Sequence, residues 1–172
     1  MSKTKKSIDE ICKQLKTNFD IKELGEIKCC LGLQVKRDRS EKTIEINQEA
    51  MIDRIAERFK MDETKPTYLP ADVNSRLIKT KSEDRERTPK MPYRELIGSL
   101  MYIVVCTRPD ISNAVGEVPK FCDDFNMEHW IAALKILKYL KTTKKLSLVF
   151  EGSIKQPMVA YADASWASDR DS

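Results

Sequence analysis

Tyr93-Arg94-Glu95-Leu96-Ile97-Gly98-Ser99-Leu100-Met101-Tyr102, then Thr107-Arg108-Pro109-Asp110-Ile111, then His129-Trp130 and Leu137-Lys138-Tyr139-Leu140, make up the stretch on which the fold turns. Tyr93, Leu96, Ile97, Leu100, Met101 and Val104 recur at helical spacing and predict one apolar helix face. Pro109 suits the first turn of a second helix, where its missing N–H costs nothing. Ile111, Ala114, Val115 and Val118 line the inward face of that helix, and Pro119 should end or kink it. Asn126 can cap a third helix carrying Trp130, Ala133, Leu134, Leu137 and Leu140. Residues 93–145 therefore read as a three-helix unit.

On the N-terminal side the pattern breaks. Residues 62–92 contain Pro66, Pro70, Pro89 and Pro92, and 79–87 is almost wholly charged or polar. This predicts a linker or long surface loop, in part disordered. Before it, Ser7 and Glu10 fit a capping box, and Ile8, Ile11, Cys12, Leu15 and Phe19 recur at helical spacing, so residues 7–19 read as an amphipathic helix. Leu31, Leu33 and Val35 alternate with Gly32, Gln34 and Lys36, as in a half-buried strand. A polar turn at 38–41 and the alternating Ile44 and Ile46 complete a hairpin over 28–47. Asn47 can cap a further helix with Met51, Ile52, Ile55 and Phe59 inward. After the three-helix unit, two strands are predicted, at 146–150 and 158–163. The class is α+β: helix, hairpin, helix, polar linker, three-helix unit, then a partial sheet.

Bulk properties narrow the function. The chain has 172 residues, 41% of them apolar, enough for one ordinary domain or two small ones. The net charge of +4 comes from nearly balanced acids and bases, a weak hint of nucleic acid and short of a dedicated basic binder. Five cysteines, an odd number without a framework spacing, read as buried thiols in a reducing compartment. One histidine and no C-x-x-C argue against a zinc site. No apolar run follows the basic start, and none approaches the roughly 20 residues of a membrane span. The expectation is an intracellular protein, cytoplasmic or nuclear, not secreted and without a membrane partner.

The order of short words along the chain resembles the Pol polyprotein of copia-type LTR retrotransposons, in the part that follows the reverse transcriptase palm. Glu23-Leu24-Gly25-Glu26-Ile27 and Cys30-Leu31-Gly32-Leu33-Gln34-Val35 match a run similar to D-L-G-x-x-x-x-F-L-G-I-E-V. Ile46-Asn47-Gln48 and Arg58-Phe59-Lys60-Met61 match the next word, with Met51 where an aromatic usually stands. Tyr93 to Tyr102, Arg108 to Ile111 and His129 to Thr143 follow in the same order. Tyr161-Ala162-Asp163-Ala164-Ser165-Trp166-Ala167 resembles the opening of RNase H, with serine where a second aspartate usually stands. The resemblance implies four parts: 1–61, the end of the palm with a primer-grip-like hairpin and its following helix; 62–92, the linker; 93–145, a helical thumb or connection unit; and 146–172, the start of RNase H.

It also implies where chemistry lies. Polymerase chemistry uses carboxylates that hold two metal ions, Mg2+ in the parent enzyme. These would lie in a Y-x-D-D turn and an earlier strand, upstream of Met1. Phe121-Cys122-Asp123-Asp124 fits F-x-D-D, but it follows one predicted helix and leads into another, so it reads as an acidic interhelical loop. Leu31, Gly32 and Leu33 resemble the primer grip, where a glycine lets backbone approach the primer end. On the residues alone, Gly32 equally suits a bulge or tight crossing. Asp163 resembles the first metal-binding aspartate of RNase H; a single carboxylate cannot hold the metal pair, so it reads as a vestige.

Trp130 falls on the apolar helix face and reads as core, while His129, at a helix start, reads as a backbone hydrogen-bond partner. Arg108 pairs in this reading with Asp110 or an upstream carbonyl, with a phosphate contact as the secondary alternative. Lys135, Lys138 and Lys141, with Lys144 and Lys145, form a basic strip that either matches the helix C-terminal dipole or contacts phosphates. The expected partners are a DNA or RNA primer–template and the rest of the polyprotein. The chain alone is expected to be catalytically inactive. The alternatives are a non-enzymatic nucleic-acid-binding remnant and a domesticated helical interaction module.

Overall fold

A computed structural model describes residues 5–61, 65–72, 77–79, 91–152 and 160–162. The elements are α1 (Lys5–Asn18), β1 (Cys29–Cys30), β2 (Leu33–Asp38), β3 (Thr43–Asn47), α2 (Glu49–Arg58), α3 (Tyr93–Cys106), α4 (Ser112–Glu117), α5 (Met127–Thr142) and β4 (Leu148–Glu151). Short 3-10 turns, Pro109–Ile111 and Val118–Phe121, bracket α4. Among the described residues no helix is long and apolar enough to cross a membrane.

The helical block forms as its periodicity dictates. Tyr93, Leu96, Ile97, Leu100 and Ile103 of α3 meet Ile111, Val115 and Val118 around α4 and Ala133, Ile136, Leu137 and Leu140 of α5. Ile103, not Met101, completes the inward stripe of α3; Met101 is 48% exposed. The register is a straight i, i+3, i+4, i+7 ladder from Leu96, which carries Ile103 inward and turns Met101 away. Pro119 ends α4 in the 3-10 turn. Tyr93 is buried, stacks on Phe125 at 4.5 Å and donates its hydroxyl to the Val118 carbonyl at 2.8 Å.

Residues 62–92 separate α2 from α3 in the chain but not in space. Ile52, Ile55 and Ala56 of α2 are buried in the same apolar cluster as α3, α4 and α5. Phe59 and Trp130 meet at 6.0 Å at its margin, so Trp130 packs on the core as its helix position predicts. Lys144, just past α5, reaches back to Asp53 at 2.7 Å and Glu49 at 3.5 Å on α2. The described parts of the linker lie along α5. The Thr67 amide donates to Thr142 Oγ1 at 3.1 Å, and Asp72 pairs with Lys135, two turns nearer the start of that helix.

The sheet departs most from expectation. Alternation of Leu31, Leu33 and Val35 suggests one strand through all three. Instead the chain turns at Leu31-Gly32, so that Cys30 pairs with Leu33 and Cys29 with Gln34. β2 and β3 form the expected hairpin, with Val35 opposite Ile46 and Arg37 opposite Ile44. β4 then lies beside β3, with Ile44 opposite Phe150 and Ile46 opposite Leu148, giving an antiparallel order β1-β2-β3-β4. The strand expected to open a second sheet therefore completes the first. Ala160–Ala162 carry no strand, and the rest of the 158–163 run, with Asp163, lies outside the described residues.

Gly152 makes the return of β4 possible. Its amide donates to the Lys42 carbonyl at 2.8 Å, and a Cβ there would sit 3.0 Å from Lys42 Cβ and 3.1 Å from its carbonyl oxygen. α1 is amphipathic as predicted and begins two residues before the capping-box serine. No described residue before Gln48 is buried.

Candidate nucleic-acid interface

The Leu31-Gly32 turn is the most singular backbone feature of the molecule. Leu31 has φ +51° and Gly32 φ +81°. Positive φ at both central residues is the signature of the type I′ hairpin turn, whose twist suits the flanking strands. Glycine takes this conformation freely; a leucine there costs about 1–2 kcal/mol. The Leu31 side chain is 83% exposed, while its carbonyl accepts the Tyr102 hydroxyl of α3 at 2.6 Å. A Cβ on Gly32 would meet Met51 Sδ at 3.3 Å. The turn is thus seated on α2 and α3, with the Leu31 side chain outward and the Cα of Gly32 facing Met51.

That seat rests on a chain of buried polar contacts. Gln48 Nε2 donates to Met51 Sδ at 3.4 Å, and Gln48 Oε1 accepts the Thr107 hydroxyl at 2.7 Å. Next to Thr107, Arg108 is only 2% exposed. Its guanidinium grips Asp110 with two bonds, 2.9 Å and 2.7 Å, and donates to the Thr143 carbonyl and hydroxyl at 3.2 Å and 2.7 Å. Tyr139 lies under that guanidinium, 5.5 Å from ring centre to charge, and donates its hydroxyl to Asp110 at 3.0 Å. The Arg108 hydrogen bonds hold the Asp110 carboxyl below its ordinary pKa. Arg108 is therefore spent on the protein's own framework, and the R-P-D-I word ties α3, the 3-10 turn before α4 and the end of α5 together.

The α5 lysines are largely engaged as well. Lys135 pairs with Asp72, Lys141 donates to the Met61 carbonyl at 2.8 Å, and Lys144 holds Asp53 and Glu49. Lys138 makes no ion pair with a described residue. Leu33 enters β2 half-buried, one residue beyond the turn. Leu31, Gly32 and Leu33 thus share one hairpin end, whereas Lys135, Lys138 and Lys141 sit on α5.

Two polar words resolve into structure. The Asn126 side chain accepts from the amides of Glu128 and His129 at 2.9 Å and 3.2 Å, and His129 Nδ1 accepts the Asn126 amide at 2.9 Å. This is a capping box with histidine in the place usual for glutamate or glutamine. The imidazole is fully buried against Phe121 at 4.0 Å, and among the described residues its Nε2 makes no hydrogen bond of normal geometry. Burial pushes its pKa down, opposed by the nearby Ile78 backbone, Glu128 and Asp124. In the Asp123-Asp124 loop, Asp123 pairs with Arg94 of α3, whose Nε also donates to the Cys122 carbonyl at 3.3 Å.

Sequence reasoning missed Gln48, Thr107, Tyr102 and Gln34 as working residues. Gln34 Oε1 accepts the Ala50 amide at 3.0 Å and Asn47 Oδ1 that of Glu49 at 3.3 Å, so a strand residue shares the capping of α2. The only signal was their place inside the quoted words. Among the described residues no group of three or more His, Cys, Asp or Glu side chains converges on a common point.

Comparison with known proteins places the chain among transposon sequences. It is 39% identical over 176 residues to the retrovirus-related Pol polyprotein from transposon TNT 1-94 of Nicotiana tabacum, covering 99% of the chain and 13% of that polyprotein. It is 31% identical over 157 residues to the retrovirus-related Pol polyprotein from transposon RE1 of Arabidopsis thaliana, covering 91% and 10%. It is 26% identical over 166 residues to a putative transposon Ty5-1 protein of Saccharomyces cerevisiae, covering 96% of the chain and 53% of that protein. No model of a known protein family matches the chain, and no solved structure does. These similarities support a fragment of a retrotransposon Pol polyprotein, and the chain spans only a small share of the polyproteins it matches.

Proposed function

We propose, taking a fragment of a retrotransposon Pol polyprotein as the premise, that this chain is the part following the reverse transcriptase palm and that it grips the primer–template. DNA synthesis itself, and its Mg2+ ions, belong in this reading to other parts of the polyprotein. The chain alone turns over nothing. Residues 146–172 lead, in this reading, toward RNase H, with Asp163 as its first acid.

One observation carries the proposal. The Leu31-Gly32 turn stands at the end of the hairpin with the Leu31 side chain exposed and the Leu31 carbonyl held by Tyr102. A rigidly held hairpin tip of this kind can be laid against the end of a nucleic-acid strand. The helices behind it supply rigidity, which a loop alone lacks. Because Lys135, Lys141 and Lys144 are already engaged, Lys138 and the exposed Lys145 are the strip residues left for a phosphate contact.

The test is a titration of a fluorescent primer–template duplex with the full chain over a series of salt concentrations. Affinity falls with salt, Gly32→Val weakens binding at every salt, and Lys138→Gln lowers the salt slope by about one. Absence of binding at the lowest salt would remove the proposal.

A further inference from the structure

We infer that residues 65–72 are an autoinhibitory strap, with Asp72 occupying the place of a phosphate on the basic face of α5; this rests on the primer–template reading above. Lys135, Lys138 and Thr142 follow one another at i, i+3 and i+7 on α5, so they share one face of the helix. The strap touches both ends of that row. The Thr67 amide donates to Thr142 Oγ1 at 3.1 Å, and the Asp72 carboxylate pairs with Lys135. Lys138 lies between these two contacts along the helix and is half-buried, although it makes no ion pair with a described residue.

The strap is lightly held along its length and firmly held at its ends. None of residues 65–72 is buried, and Tyr68 and Leu69 point largely into solvent. The Asp72 carboxylate is 64% exposed, and an ion pair this open contributes little to stability. Met61 before the strap and Leu77 after it both pack on the apolar core. A group tethered in this way is presented to its site at an effective concentration on the order of millimolar. Asp72 therefore holds Lys135 against weak single anions. It yields to a duplex, which offers one negative charge about every 1.7 Å along its axis and so replaces one carboxylate with several phosphates. Release of the strap frees Lys135 beside Lys138 and widens the basic face.

The experiment uses the full chain and a fluorescent primer–template duplex, titrated at low salt. Asp72→Asn tightens binding by about threefold to fivefold, the range that loss of an exposed competing ion pair allows. Asp9→Asn on α1 adds the same unit of net charge away from the strap and is the control, with a smaller gain. In a Lys135→Gln background, Asp72→Asn gains no more than that control, because the pair it would free is already gone. Hydrogen exchange reports the strap itself: saturating duplex speeds exchange of the amides between Thr67 and Asp72 by about threefold or more.

Three results overturn the inference while leaving the primer–template reading in place: duplex bound with no faster exchange at 67–72, Asp72→Asn binding no tighter than Asp9→Asn, or a full Asp72→Asn gain that persists with Lys135→Gln. Failure of every variant to bind duplex at the lowest salt strikes the primer–template reading itself, and the strap's competition falls with it.

Discussion

Residues 5–47 and the helices that follow are built to different standards. The first stretch has a helix, a turn and three strands, yet buries none of its described residues. The second closes around Leu96, Leu100, Ile103, Leu137 and Leu140, all fully buried. The difference is one of completeness. The helices supply both sides of their own interface, whereas the sheet and α1 each supply one side. Val35, Ile44, Ile46, Leu148 and Phe150 share a sheet face by register, and none of them is buried. A part with half an interface makes sense inside a larger body, which is how the transposon polyproteins carry this segment.

Truncation at matched sites is the harshest way to break this contrast. Leu100→Ala leaves a cavity in a closed core and lowers unfolding free energy by about 2–5 kcal/mol, read by urea denaturation. Leu15→Ala on α1 changes it by less than about 0.5 kcal/mol. Equal losses would mean that the two regions are packed alike. The buried Arg108 comes next. Arg108→Ala strands Asp110 and the Thr143 carbonyl and costs about 3 kcal/mol, and Arg108→Lys recovers little because one ammonium cannot replace a two-pronged grip.

Within the open region, Leu31→Asn relieves a left-handed leucine and raises stability by about 0.5–1 kcal/mol, measured as a higher melting temperature. The smallest effect belongs to His129. Its folded pKa lies below the ordinary value near 6.5. The unfolded chain therefore takes up the proton first, and stability is full above that pH and is lost as pH falls through and below it. His129→Gln keeps the capping-box pattern and flattens this part of the pH profile, as thermal melts between neutral and mildly acidic buffer will show.

The helical half was legible because its stabilising contacts follow a single local period. Leu96, Leu100, Leu137 and Leu140 announce themselves within their own helices, and Asn126 and Pro119 mark their ends. The alternation of Leu31, Leu33 and Val35 misled because a turn conformation is written in φ, and leucine does not advertise a positive one. Ile46 and Leu148 could not be paired from sequence, since nothing local to either names the other. Gln34 caps a helix that begins 15 residues later, through a contact that no spacing rule describes. The role of Arg108 was half readable: Asp110 was a foreseeable partner, Thr143 was not. For the candidate interface, the sequence words singled out Leu31-Gly32-Leu33 but read them as strand; only the geometry showed the turn there, Tyr102 holding it, and Lys135 and Lys141 turned to other uses.

The pairing of β4 with β3 has a consequence in time. β1, β2 and β3 are joined by short turns and can zip within their own neighbourhood. β4 arrives only after α2, α3, α4 and α5 have been laid down, so its pairing closes a loop of about a hundred residues and waits on the helices that shorten the distance. Until then β3 has an open edge able to accept a stray strand. A ribosome making this chain exposes that edge from the moment β3 emerges until Glu151 follows, and the hazard of misassembly at β3 lasts for that interval.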